Sequence, residues 1–131
     1  DGEDYLDGGV SDSIPLTESI RSGNTKNVLI LTREAGYRKK KSKTNHLISR
    51  VYKKNFPGLV AAQKQRHLSY NRALELAERE EKKGSAFILR PSIKPEVGRV
   101  EKNIKKLKDL YELGYTDAQI HYDALISFLK D

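Results

Sequence analysis

Asn27-Val28-Leu29-Ile30-Leu31-Thr32 is a continuous apolar run rather than an alternating one. A run of branched residues of this length fits a strand covered on both faces, the environment of a parallel sheet. Its counterpart arrives much later, at Ala86-Phe87-Ile88-Leu89-Arg90-Pro91, with Gly84-Ser85 ahead of it and Pro91 closing it. Between the two runs the apolar spacing becomes helical. Asn45 caps a first helix carrying Leu47, Ile48, Val51 and Tyr52, and Asn55-Phe56-Pro57-Gly58 interrupts it. Leu59, Val60, Gln63, His67, Tyr70, Leu74 and Ala77 then trace a stripe at three- and four-residue steps as far as Lys83-Gly84. Strand, helices and strand in that order describe a βαβ unit. The expected fold class is therefore α/β, an incomplete parallel sheet with flanking helices.

Outward from this unit, the C-terminal side changes character after Pro91. Residues 92–98 form an irregular linker containing Pro95. Val100, Ile104, Leu107 and Tyr111 mark the buried side of a helix that Gly114 stops. Thr116 with Gln119 reads as a capping box opening a second helix, buried through Ile120, Leu125, Phe128 and Leu129. The two make a helical hairpin.

On the N-terminal side, Leu16 to Ser22 is short and amphipathic, with Ile20 turned inward and Gly23-Asn24 ending it. Before it stands Tyr5-Leu6-Asp7-Gly8-Gly9-Val10-Ser11-Asp12-Ser13-Ile14-Pro15. A carboxylate after a short apolar run and before two glycines suits a side chain set at a strand end, its neighbours bent clear. The same three residues also suit a connecting turn.

The chain has 131 residues, a net charge of +7 and a pI near 9.5. Its excess charge is concentrated: from Tyr37 to Lys54 it carries Arg38, Lys39, Lys40, Lys41, Lys43, Arg50, Lys53 and Lys54 without one acid. That pattern suits an anionic partner, whether a lipid headgroup, another phosphate-rich surface or nucleic acid, and equally a solvated loop and helix face.

Cysteine is absent, which removes disulfide and thiolate chemistry. No apolar run approaches the roughly 20 residues that span a bilayer. The acidic start is no signal peptide, and the first residues read as those of an excised piece. His46, His67 and His121 lack metal-ligand spacing, so no metal is expected, and no glycine fingerprint for a phosphate or cofactor occurs. Gly9-Val10-Ser11-Asp12-Ser13 begins like a G-x-S-x-G elbow and ends wrongly.

Several blocks, in order, resemble the C-terminal part of a bacterial patatin-like phospholipase. They are Tyr5 to Pro15, Asn27 to Arg33, Gly36-Tyr37-Arg38-Lys39, Phe87 to Pro91, Arg99-Val100-Glu101, and Leu110-Tyr111-Glu112-Leu113-Gly114-Tyr115-Thr116-Asp117-Ala118. The resemblance covers nearly the whole chain. It implies that residues 1–92 are the C-terminal part of a patatin-like catalytic domain and residues 93–131 a small helical extension. It further implies lipid acyl hydrolysis by a Ser/Asp dyad, with Asp7 as the aspartate and Gly8 and Gly9 as its motif neighbours.

A carboxylate doing this without histidine must be held close to the serine and partly desolvated. The serine itself is absent from these residues, so the chain alone is expected to be inactive while its parent is the enzyme, without a cofactor. Arg38, Lys39, Lys40, Lys41 and Lys43 are the expected contacts to an anionic membrane surface. The expected location is cytoplasmic or peripheral to the membrane. No specific nucleic acid is expected, although a basic nucleic-acid module is the alternative reading, and open apolar edges make a homo-oligomer an expected state.

Overall fold

A computed structural model describes residues 2, 5–42, 50–98 and 100–130. The elements are a 3-10 turn (Gly8–Val10), α1 (Leu16–Arg21), β1 (Asn27–Ile30), α2 (Pro57–Lys82), β2 (Ala86–Leu89), α3 (Ile104–Ile120) and α4 (Tyr122–Lys130). The result is an α/β fold with a two-stranded parallel sheet. The expected cap Asn45, the apolar positions Leu47 and Ile48, His46, Lys43 and Arg99 lie outside the described residues. The chain divides into two compact units, one of Asp1–Gly23 with Arg38–Glu78 and one of Asn24–Tyr37 with Arg79–Asp131.

In the first unit α2 follows its sequence pattern closely. Pro57 occupies the first helical position, where its missing N–H costs nothing, and the Phe56 carbonyl accepts from Val60 N at 3.3 Å. Val60, Leu74 and Ala77 are buried, and Leu59, Gln63, His67 and Tyr70 are partly covered, so the predicted stripe is the inner face. Ile14 and Leu16 are buried as well. Helix α1 ends as expected: Ser22 is its cap, and Gly23 takes a φ of 90°, the left-handed conformation a side chain resists. Ile20, expected inside, is exposed, although it lies one turn along the same face as the buried Leu16.

In the second unit β1 and β2 pair in parallel with Asn27 opposite Ala86 and Ile30 opposite Leu89. The ladder extends from Asn27 N donating to Ser85 O at 3.0 Å to Leu31 N donating to Leu89 O at 2.8 Å. The expectation of cover on both faces fails for β1. Its residues alternate, with Asn27 and Leu29 buried and Val28 and Ile30 exposed, Ile30 by 77%. With only two strands among the described residues, the sheet has too little width to be enclosed on both sides. The face of Val28 and Phe87 receives Phe128 of α4, whose ring centroid is 5.6 Å from that of Phe87. Lys26 donates its Nζ to the Phe128 carbonyl at 2.7 Å.

Gly84, at φ 78°, turns the chain out of α2 into β2. Beside it, Glu80 accepts from Lys83 Nζ at 2.7 Å and from Ser85 Oγ at 2.8 Å. The Lys83 bond first, and the Ser85 bond second, hold the Glu80 carboxyl below the ordinary glutamate range.

The C-terminal helices differ from the sequence reading. Helix α3 begins at an Asn103 cap, whose Oδ1 accepts from Lys105 N at 3.0 Å and Lys106 N at 3.3 Å, and runs unbroken through Gly114 and Thr116. The break falls at His121 instead. Its covered positions are Leu110, Leu113 and Asp117, spaced three and four, whereas Val100, Ile104, Leu107 and Tyr111 are exposed. That inner stripe runs straight past Gly114, so tertiary cover overrides the local stop signal. Asp117 is buried and its Oδ2 accepts from Ser92 N at 2.9 Å, tying α3 to the exit of β2. In α4, Leu125 and Phe128 are partly covered, while Leu129, and Ile120 before it, are exposed rather than buried.

Candidate functional site around Asp7

Asp7 does not stand at a strand end. Tyr5 and Leu6 are exposed and lie in no strand. Asp7 is instead the N-cap of the 3-10 turn, and its Oδ1 accepts from Gly9 N at 2.6 Å. The turn closes through Val10 N to Asp7 O at 3.0 Å and Asp12 N to Gly8 O at 2.9 Å. The carboxylate is exposed, and its Oδ2 carries no hydrogen bond among the described residues.

The two glycines play different parts. A side chain at Gly8 would meet nothing within 4 Å, whereas a Cβ on Gly9 would lie 2.9 Å from Asp7 Oδ1. Gly9 is thus the residue whose lack of a side chain lets the carboxylate fold back over its own turn. Its carbonyl is also held twice, by Arg66 Nε at 2.8 Å and by Ser13 Oγ at 2.8 Å. Arg66 belongs to α2, so one guanidinium anchors the Asp7 turn to the longest helix. Ser11 Oγ donates to Gly8 O at 3.1 Å. Both nearby serine hydroxyls therefore donate to backbone carbonyls of the turn rather than to Asp7.

Nothing in the sequence pattern marks Ser13. Arg66 was detectable, because it sits three residues after Gln63 and four before Tyr70, a cation on the covered stripe of α2. A long cation there is either extended to solvent or engaged with a partner, and here it is engaged.

The structure divides the basic block. Arg38 grips Glu78 with two bonds, of 3.2 and 2.8 Å. The Lys39 backbone N donates to Asn71 Oδ1 at 2.8 Å, its carbonyl accepts from Asn71 Nδ2 at 3.1 Å, and its Nζ lies 4.7 Å from the centroid of the Tyr70 ring. Those two residues fasten the chain to α2, while Lys40 and Lys41 are exposed. The acid-free character extends further than the block: from Ala35 to Leu74 there are eleven Lys and Arg and no Asp or Glu.

Among the described residues no group of three His, Cys, Asp or Glu side chains stands together as a metal site would require. The second unit holds a separate pocket of about 220 Å³, lined by Ile93, Pro95, Val97, Leu110 and Leu113, with charged residues including Lys106 also lining it. No helix among the described residues is long and apolar enough to cross a membrane.

Fold and site together define a basic α/β chain whose exposed carboxylate is seated in a tight glycine turn. Residues 56–130 match the family model described as Domain of unknown function (DUF6363), and the chain belongs to that family. The matched stretch takes in α2, β2, α3 and α4 and begins well after Asp7. No curated protein and no solved structure matches the chain.

Proposed function

We propose that this chain is the C-terminal part of a patatin-like serine acyl hydrolase, a lipid-ester hydrolase, and that Asp7 is the aspartate of its Ser/Asp dyad. The observation that carries the reading is the posture of Asp7. One carboxylate oxygen is fixed by Gly9 N, the other carries no hydrogen bond among the described residues, and Arg66 holds the turn through the Gly9 carbonyl. A serine brought against Oδ2 by residues outside this sequence would pass its proton to that oxygen. The serine Oγ would attack the ester carbonyl, and the departing alcohol would take the proton back as the acyl-enzyme forms. Water, deprotonated by the same carboxylate, would then attack the acyl carbonyl, and the proton would return to the serine Oγ as the acid leaves. Closure of the serine-bearing segment over the exposed carboxylate supplies the desolvation that makes it basic enough.

In this reading α3 and α4 are the helical appendage of the parent. The chain alone is inactive, and its partners are a lipid or ester substrate and an anionic membrane surface.

The test uses the longer parent protein and a short-chain p-nitrophenyl ester. Asp7→Asn keeps the turn's shape and removes the base, so turnover should fall by at least roughly a hundredfold with the fold intact by circular dichroism. A folded Asp7→Asn parent with full turnover ends the assignment.

A further inference from the structure

Every residue from 50 to 58 is exposed, and residues 50–56 interleave two chemistries. Arg50, Lys53 and Lys54 are cations, whereas Val51 is 66% exposed, Tyr52 44% and Phe56 45%. Phe56 N donates to Tyr52 O at 2.8 Å, closing a turn that sets the two rings 6.2 Å apart at 54° to each other. Apolar side chains presented in a body among cations, with no acid from Ala35 to Leu74, form a surface that water disfavours and that an anionic apolar boundary satisfies.

We infer that residues 50–56 are an interfacial anchor that seats this chain on an anionic phospholipid bilayer. Val51, Tyr52 and Phe56 enter the headgroup boundary, and Arg50, Lys53 and Lys54 pair with the lipid phosphates. The inference rests on the membrane-surface part of the proposed function and is independent of Asp7. It adds to the expected basic block, in which the Arg38 guanidinium is paired with Glu78 and the Lys39 ammonium lies over the Tyr70 ring.

One feature favours a bilayer over a single-stranded nucleic acid. Val51, the most exposed of the three, has no face on which a base could stack. The exposed tyrosines of the C-terminal helices make a useful contrast. Tyr111, Tyr115 and Tyr122 are interspersed with Asp109, Glu112 and Asp123, whose charges oppose an anionic surface.

The experiment is co-sedimentation of the whole chain with vesicles of phosphatidylcholine, alone or mixed with phosphatidylserine. Binding to the anionic vesicles only is expected. Replacing Arg50, Lys53 and Lys54 with Gln should weaken it roughly a hundredfold. The double variant Tyr52→Ser, Phe56→Ser should weaken it by at least roughly tenfold, and both variants should keep the circular dichroism of the parent chain because the altered side chains are exposed.

The natural chain has no tryptophan, so a Tyr52→Trp variant carries a single reporter whose emission should shift to the blue on the anionic vesicles. Equal binding to neutral vesicles, undiminished binding by either variant, or unshifted emission from vesicle-bound protein overturns the inference. So does binding to a single-stranded oligonucleotide without binding to vesicles. None of these readouts involves ester turnover, so the dyad at Asp7 stands or falls separately.

Discussion

A carboxylate can be positioned by the residue that gives way to it. At the Asp7 turn that residue is Gly9, since a Cβ there would sit 2.9 Å from Asp7 Oδ1 and 3.8 Å from Arg66 Nη2. Gly9→Ala should push the carboxylate off its cap and cost about 1 kcal/mol, the usual worth of a lost N-cap bond. Gly8→Ala, with open space around its Cβ, should change stability by less than about 0.5 kcal/mol. Denaturant unfolding of the two variants checks this, and equal effects would mean that the carboxylate is not seated over Gly9. The pairing of an aspartate with small neighbours is legible in the chain, but which glycine matters is not. That distinction depends on where Oδ1 lies, which follows from the 3-10 turn and from Arg66, an arginine far away in sequence.

At the scale of the element, legibility follows burial. The stripe of α2 is readable because Val60, Leu74 and Ala77 are covered, and periodicity records cover. The parallel pairing of β1 with β2 is readable from two apolar runs and a helical crossover. Helix α3 departs from its sequence pattern because most of its surface is exposed, so its few covered positions, Leu110, Leu113 and Asp117, leave only a faint periodic mark beside the apparent stop at Gly114. Gly114 resembles a stop, yet it lies inside the helix without a positive φ, and a Cβ there would meet nothing within 4 Å. Gly114→Ala should therefore stabilise the chain by about 0.5–1 kcal/mol through restricted unfolded-state freedom and better helix propensity. Thermal unfolding followed by far-ultraviolet circular dichroism measures it. A destabilised variant would show that the chain needs a glycine's freedom there, as it would at a helix end.

Across the whole chain, only seven apolar residues are buried among those described, while Val28, Ile30, Ile104, Tyr111 and Ile120 lie open. Both strands of the sheet also have an unpaired edge among the described residues. Such a chain is pulled toward its own copies by apolar surface and pushed from them by its charge of +7. The two forces respond differently to salt, because screening weakens repulsion between exposed charges and leaves apolar attraction in place. Sedimentation at rising protein concentration should thus show self-association that strengthens from low to high ionic strength, whereas binding to anionic vesicles should weaken over the same range. Ile30→Lys, which places a charge at an apolar position that is 77% exposed, should reduce association and leave vesicle binding unchanged. Association that instead declines with salt would mean that copies meet through their charges, and the exposed apolar residues would no longer account for it.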